Sequence, residues 1–365
     1  MEVEVKAANA MGGVLGQMME MDHEQVVFCN DPDTGLRAII AVHNTVLGPA
    51  LGGCRMWNYA SEAEALWDVL RLSRGMTFKN AVSGLNLGGG KAVIIGDARK
   101  QKNEALMRRF GQFVDSLGGK YITAEDVGME TSDMNHISEE TDHVAGIDEA
   151  MGGSGNPSPV TAYGVFMGMK AASTFRWGSD MLKGRKVMVQ GVGHVGETLV
   201  EYLVEEGAEV FITDINQERL DAIKEEYGVT IVSADSVYDQ AVDIYAPCAL
   251  GATLNDNSIP RLKCAIVAGA ANNQLANELV HGKMLRERGI LYAPDFVINA
   301  GGVINVYSEV KGFDSEMSMK MAENIYNTTL GILTMADTEG ITPQEAAIRT
   351  AKQRIDSIAR TKSRW

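Results

Sequence analysis

KVMVQGVGHVGETLVEYLVEEGAEVFITD, residues 186 to 214, is the most informative run of the chain. Lys186 to Gln190 is an apolar strand, and Gly191-Val192-Gly193-His194-Val195-Gly196 follows it directly before a helix over Glu197 to Glu206. In that setting the first glycine permits a tight turn, the second lets a pyrophosphate reach the backbone, and the third lets helix and strand pack closely. The helix N-terminus then faces the phosphates. A second strand, EVFIT, ends at Asp214, eighteen residues past Gly196. A carboxylate there accepts from a ribose 2′-hydroxyl and repels a 2′-phosphate, which favours NAD over NADP. The plainer alternative, a strand-turn-helix whose glycines serve packing alone, fits this strand-helix-strand-Asp context less well. His194 reads as a variable loop position rather than a catalytic group.

Past Asp214 the alternation continues, with IVSA, VDIYAPC, AIVAGAA and ILYAPDFVI reading as strands. Strands separated by helices are the pattern of a parallel, doubly wound sheet. Before it, MGGSGNPSP (Met151 to Pro159) has the composition of a hinge, and a helix is predicted over Thr161 to Ala172. The N-terminal part mixes strands (Gln25 to Cys29, Leu36 to His43, Ala92 to Ile95) with helices at Ser61 to Arg74 and Asn103 to Leu117. YITAEDVG, Tyr121 to Gly128, reads as a short strand ending in acidic residues. The expected fold class is therefore a two-domain α/β protein: a mixed α/β domain over residues 1–150 and a Rossmann-type NAD-binding domain over residues 151–334. Helices from about 335 to 365, with Thr342 as N-cap and Pro343 at the first helical position, are expected to pack back on the first lobe. The 365 residues agree with two lobes at the prior of roughly 150 residues per domain.

Composition narrows the function. With 48 acidic against 33 basic residues the net charge is −15, which argues against nucleic acid and anionic membrane as partners. Cys29, Cys54, Cys248 and Cys264 show no CxxC or CxxH spacing, so neither a metal site nor a disulfide framework is expected. Glu2 and Glu4 stand where a secretory leader would be basic, and no apolar run approaches the ~20 residues of a bilayer span. The expected location is the cytoplasm.

Lys79 closes the helical run RLSRGMTFKN, and GLNLGGGK ends twelve residues later at Lys91. Three glycines before a lysine remove side chains that would block a small molecule. An ammonium there can hold a carboxylate; desolvated or beside another cation, it can serve as a general base. Ala92 follows Lys91, so the GxxxxGK[ST] phosphate loop is absent. Asp126 reads either as a turn cap or as an acid/base partner. Asn272 and Asn273, in AGAANNQ, suit hydrogen bonding to a nicotinamide amide or to substrate, or equally a structural bridge. Cys248 is not needed as a nucleophile. Val303 and Val306, in PDFVINAGGVINV, read as pocket lining or as ordinary helix packing.

LGPALGGCRMW, GMTFKN, GLNLGGGKAVIIG, YITAEDVG, GNPSPVTAYGV, VQGVGHVG, ITDIN, DIYAPCALGA, AGAANNQL and APDFVINAGGVINV occur in one order from about Asp22 onward. Together they resemble the amino-acid dehydrogenases of glutamate, leucine, phenylalanine and valine, and most of all the leucine-type members. The resemblance implies reversible NAD-dependent oxidative deamination of an apolar, branched-chain L-amino acid to its 2-oxo acid and ammonia, in a homo-oligomer. It implies that Lys79 holds the substrate carboxylate, Lys91 is the general base that activates water, and Asp126 carries protons to and from nitrogen. Gly52, Gly53, Met76, Val303 and Val306 would wall the side-chain pocket, with Asn273 on substrate and Thr161 and Asn272 at the nicotinamide. Closure about GNPSP would exclude water. Cys54 and the TKSRW end depart from the leucine pattern. Phenylalanine, valine or tryptophan as substrate, a non-catalytic NAD-binding module and a 2-hydroxy-acid dehydrogenase are the competing readings; the last would need a His and an Arg in the roles given to two lysines.

Overall fold

The computed structural model describes residues 13–312 and 314–362. Glu2 and Glu4, on which the leader reading rests, and the last three residues of TKSRW lie outside them. The chain divides into two compact units, one formed by the chain up to Gly155 with Glu309–Gly312 and the segment from Ala351 on, the other by Asn156–Ser308 and the segment up to Thr350.

The first unit is built on a mixed sheet ordered β1-β2-β5-β3-β6, with β4 also paired to β5. Its strands are β1 (Gln25–Asp31), β2 (Leu36–Asn44), β3 (Ala50–Leu51), β4 (Cys54–Trp57), β5 (Gly88–Ile95) and β6 (Tyr121–Ile122). The β1–β2 hairpin closes where Asp31 accepts from the Thr34 amide and hydroxyl and Gly35 takes a φ of 74°. Residues 39 and 41 of β2 face Leu66, Val69 and Leu70, while 40 and 42 face Phe110, Val114 and Ile137, so period two buries both faces. The helices are α1 (Gly13–Met21), α2 (Glu62–Val82), α3 (Glu104–Asp115) and α4 (Thr131–Ser138). Ser61 caps α2 by accepting from the Glu64 amide, and Asn103 caps α3 by accepting from Leu106.

Helix α2 continues past Arg74, the predicted end, through Gly75 to Val82. The exposed Gly75 weakens the helix, yet Thr77, Phe78, Asn80, Ala81 and Val82 are all buried, and that burial outweighs the glycine. Met76 and Lys79 therefore stand on this same helix, in agreement with the helical run RLSRGMTFKN, and the helix ends three residues past Lys79. YITAEDVG is strand only over Tyr121–Ile122; Thr123 and Glu125 contribute single bridges to Val144 and Cys54. Within this unit the C-terminal helix packs through Arg354, which donates to the carbonyls of Leu85 (2.6 Å) and Gly84 (3.1 Å) and to Asn86 Oδ1 (2.8 Å).

The second unit holds a fully parallel sheet of β7 (Lys186–Gln190), β8 (Glu209–Thr213), β9 (Thr230–Ile231), β10 (Ile244–Pro247), β11 (Ile266–Val267) and β12 (Leu291–Tyr292). Its order β9-β8-β7-β10-β11-β12 is the doubly wound order 3-2-1-4-5-6, reversing between β7 and β10. The remaining helices are α5 (Ser158–Trp177), α6 (His194–Glu205), α7 (Gln217–Tyr227), α8 (Glu278–Glu287), α9 (Asp295–Ile298), α10 (Gly301–Lys311), α11 (Ser315–Glu323), α12 (Ile325–Glu339) and α13 (Pro343–Lys362), of which α10 from Glu309 and α13 from Ala351 belong to the first unit. The run ILYAPDFVI is strand only at its start: Pro294 cannot continue a ladder, and Asp295, buried and accepting from the Gln274 and Phe296 amides, opens α9 instead. IVSA likewise yields to a 3₁₀ turn over Ala234–Asp239. Thr342 caps α13 in a reciprocal box with Glu345, at 3.2 Å from the Glu345 amide and 2.9 Å back to its own.

Gly75→Ala adds a side chain where nothing lies within 4 Å and φ is not positive. It should stabilise the folded chain by about 0.5–1 kcal/mol. Equilibrium denaturation checks this; a lower midpoint would contradict the assignment of a continuous α2.

Candidate active site

Lys91 sits on β5, 6% exposed, directly after a row of three glycines whose roles can be read from what a Cβ would strike. On Gly89 it would fall 2.1 Å from Thr77 Oγ1, on Gly90 2.6 Å from the Tyr121 ring, and on Gly88 1.9 Å from the Asn44 carbonyl. The run therefore lets α2, β6 and β2 close on β5; baring a surface for a ligand, the reason suggested by sequence, is not what these positions do. Gly52 and Gly53 act alike. A Cβ on Gly52 would lie 1.8 Å from the Gly90 carbonyl and 3.1 Å from Met76 Cγ, and one on Gly53 would lie 2.2 Å from the Glu125 carbonyl and 3.0 Å from Asp126 Cβ. Tyr121 locks the same crossing by donating to the Gly52 carbonyl at 2.6 Å.

This close packing delivers Asp126 to Lys91. Lys91 Nζ stands 3.0 Å from Asp126 Oδ2. Arg55, on β4, donates from Nε to the same Oδ2 at 2.9 Å and from a terminal nitrogen to Asp68 Oδ2 at 2.9 Å. Asp68, buried in α2, also accepts from the Tyr59 hydroxyl at 2.8 Å and from Arg71 at 2.9 Å. Burial opposes ionisation of Asp126, but Lys91 and Arg55 outweigh it and hold the carboxyl below the usual carboxylate range. Lys79 is half-buried on the last turn of α2.

Sequence reasoning missed Arg55, Asp68 and Tyr59. No local signal marked them: in β4 Arg55 alternates with buried Cys54 and Met56, the place of an ordinary outward-facing strand residue. Cys54 departs from the leucine pattern but is a core residue whose thiol burial pushes well up.

In the second unit Gly191 takes a φ of 96° and lies against Ala249, 2.6 Å from where its own Cβ would be. A Cβ on Gly196 would strike the Gly191 carbonyl at 2.1 Å, whereas one on Gly193 meets nothing within 4 Å. The first and third glycines are thus packing requirements, and the second faces open space. Gly193 is the N-cap of α6 and offers no side chain to the helix's first amides, which lack intrahelical acceptors and suit a pyrophosphate. His194 is the first residue of α6 and exposed, Val192 is buried, and Val195 is half-buried. Asp214 reaches the same loop: Oδ2 accepts from the Val192 amide at 2.8 Å and Oδ1 from the Asn216 amide at 2.9 Å. The residues present fit a dinucleotide.

Thr161 donates to the Pro157 carbonyl at 2.9 Å and lies beside Gly302, where a Cβ would be 3.2 Å from its Oγ1. A Cβ on Gly301 would strike the Val160 carbonyl at 2.1 Å, so these glycines let α10, with buried Val303 and half-buried Val306, close on α5. Asn272 Oδ1 accepts from Asn299 at 2.8 Å. Asn273 has a φ of 52° and its carbonyl accepts from the Ala252 amide at 2.7 Å, so its backbone role is as definite as any side-chain role. Both amides are exposed. Gln274, wholly buried, ties the Gly269 and Ala271 carbonyls to Asp295 and was not singled out by sequence. Burial pushes the Cys248 thiol up to about 12, which removes it as a nucleophile. The four cysteines are free. Among the described residues no acidic, His or Cys group is arranged to hold a metal ion, and no helix is long and apolar enough to cross a membrane.

A family model described as Glu/Leu/Phe/Val dehydrogenase, dimerisation domain, matches residues 23–143, and one described as glutamate/leucine/phenylalanine/valine dehydrogenase matches 152–216 and 211–362. The chain belongs to this family. It is an amino-acid dehydrogenase, in a family of NAD(P)-dependent oxidoreductases. A leucine dehydrogenase of Thermoactinomyces intermedius is 56% identical over 350 residues, 96% of this chain and 95% of its own. A phenylalanine dehydrogenase of Bacillus thermotolerans is 50% identical over 339 residues, 92% and 88% of the two chains. The crystal structure of L-tryptophan dehydrogenase from Nostoc punctiforme superposes with a TM-score of 0.86 at 46% identity, over 95% of this chain and 99% of that one.

The second and third glycines separate binding from packing. Gly196→Ala should lower the melting temperature, because backbone must move. Gly193→Ala should leave it unchanged and weaken dinucleotide binding measured by fluorescence titration. Unchanged affinity in Gly193→Ala would contradict the assignment of the open face to a ligand.

Proposed function

We propose that the protein catalyses reversible NAD-dependent oxidative deamination of leucine and other branched-chain L-amino acids. The amino acid, water and oxidised cofactor give the 2-oxo acid, ammonium, reduced cofactor and a proton. The observation that carries this reading is the ion pair, at 3.0 Å, of buried Lys91 with half-buried Asp126, a constellation that a non-catalytic dinucleotide module has no need to keep.

When bound, the cofactor accepts hydride from the substrate α-carbon. The chain supplies the rest. Lys79 holds the α-carboxylate, Asp126 takes a proton from the substrate nitrogen and returns one to the departing ammonia, and Lys91, in its uncharged form, takes a proton from the water that adds to carbon. Asn273 contacts substrate, and Thr161 and Asn272 the nicotinamide. Asp214 favours NAD over NADP twice over: its charge repels a 2′-phosphate, and its bond to Val192 links that charge to the phosphate loop. Gly52, Gly53, Met76, Val303 and Val306 carry no charge to pair a second carboxylate, which favours an apolar substrate over glutamate. Homo-oligomer formation is part of the reading, supported by the dimerisation description of the first matching model.

Relatives acting on phenylalanine and tryptophan lie close by identity, so an aromatic preference is the second reading. One methylene is worth only ~1–3 kcal/mol of discrimination, and activity spread over several branched substrates is expected. NADH formation with leucine, isoleucine, valine, phenylalanine, tryptophan and glutamate tests this; highest kcat/KM on an aromatic substrate would move the pocket and keep the chemistry. Lys91→Ala should abolish turnover with NADH binding intact, and activity within a few-fold of the parent would remove Lys91 from the mechanism. Asp214→Ala should weaken NAD binding more than NADP binding.

A further inference from the structure

Two cations meet one oxygen of Asp126, and only one of them can take part in proton chemistry. Lys91 Nζ at 3.0 Å and Arg55 Nε at 2.9 Å both engage Oδ2; Oδ1 takes part in neither ion pair. A guanidinium keeps its proton at any working pH, while an ammonium releases one more readily. Arg55 is itself held. A terminal nitrogen binds Asp68 at 2.9 Å, and Asp68 is fixed by Tyr59 at 2.8 Å and Arg71 at 2.9 Å. The planar fork of Arg55 thus spans two carboxylates, one on α2 and one in the loop after β6.

We propose that Arg55 is a positioning residue of the reaction: it fixes the Asp126 carboxylate by Oδ2, reserves Oδ1 for proton exchange with the substrate nitrogen, and keeps Asp126 ionised when Lys91 loses its proton. This rests on the roles given to Lys91 and Asp126 above. Without Arg55, deprotonation of Lys91 would leave a largely buried carboxylate with a neutral neighbour and no cation, and the proton would pass to Asp126 instead. The other ionisable groups in the field of Asp126 are the Cys54 thiol and the Tyr121 phenol, both pushed well up by burial and so neutral. Burial and the adjacent Asp68 push the Tyr59 hydroxyl up as well, so it remains a donor to Asp68. The cations that lower Asp126 are Lys91 and Arg55.

The test uses Arg55→Lys and Arg55→Gln beside the parent enzyme. A lysine keeps the charge but cannot grip both carboxylates, so Arg55→Lys should lower kcat about ten- to hundredfold, with KM for NAD unchanged. Arg55→Gln should move the acid limb of the kcat/KM profile up by about one pH unit, with Arg55→Lys restoring most of that shift. In the free enzyme, the 13Cγ resonance of Asp126, assigned by its loss in Asp126→Asn, should titrate at higher pH in Arg55→Gln. Parent-like kcat in Arg55→Lys, or an unmoved resonance in Arg55→Gln, would overturn the proposal; if Arg55→Gln does not fold, the kcat of Arg55→Lys alone decides it. Asp126→Asn separates the two levels of the argument. If it retains the parent's rate and profile, the role of Asp126 itself fails; if it is inactive while the Arg55 variants behave as parent, only the role of Arg55 fails.

Discussion

An ammonium group taken out of water costs several kcal/mol unless a carboxylate stands against it, and Lys91 on β5 is such a group. The ion pair with Asp126 sets the terms for the surrounding fold. Asp126 comes close because Gly53 lets the chain at Glu125 and Asp126 lie on the β3–β4 connection, Gly52 lets that connection lie on β5, and Gly90 leaves room for Tyr121 of β6. Gly89 in turn lets α2 settle against β5 at Thr77 and carries Met76 and Lys79 toward the same region of this unit. Arg55 and Asp68 complete the charge balance, so that two cations and two carboxylates share a site that water reaches poorly.

The second unit answers to a different constraint. In a parallel sheet the strand ends point the same way, and at the reversal between β7 and β10 the following loops diverge to leave room for a ligand. Gly191 and Gly196 serve that geometry by packing, and Gly193 leaves an open surface at the start of α6. Asp214 contributes by structure as well as by charge, since its carboxylate holds the Val192 amide.

The parallel sheet, the glycine turn after β7 and the caps at Ser61 and Thr342 were legible in the sequence, because each has a local pattern with a local cause; Asp126 had no such pattern, and only the family resemblance set it beside Lys91. What was not legible depended on contacts between distant segments. The helix over Ser61 to Arg74 and the helical run that Lys79 closes read as two pieces in sequence, and burial of residues 77 to 82 shows them to be one α2. ILYAPDFVI reads as one strand until Asp295 is seen to accept from Gln274, twenty-one residues away. Arg55 was passed over because its partners lie thirteen and seventy-one residues off. The glycines before Lys91 read in sequence as room for a ligand; what they accommodate is the protein's own chain at Asn44, Thr77 and Tyr121.

A double-mutant cycle on Lys91→Met and Asp126→Asn, read as kcat for leucine deamination, addresses the pair as a unit. Groups that act together lose their combined effect with the first substitution. The double variant should be no slower than the slower single one, with NADH affinity preserved throughout. Rate losses that multiply, each substitution acting as though the other residue were intact, would contradict the view that Lys91 and Asp126 form one catalytic device.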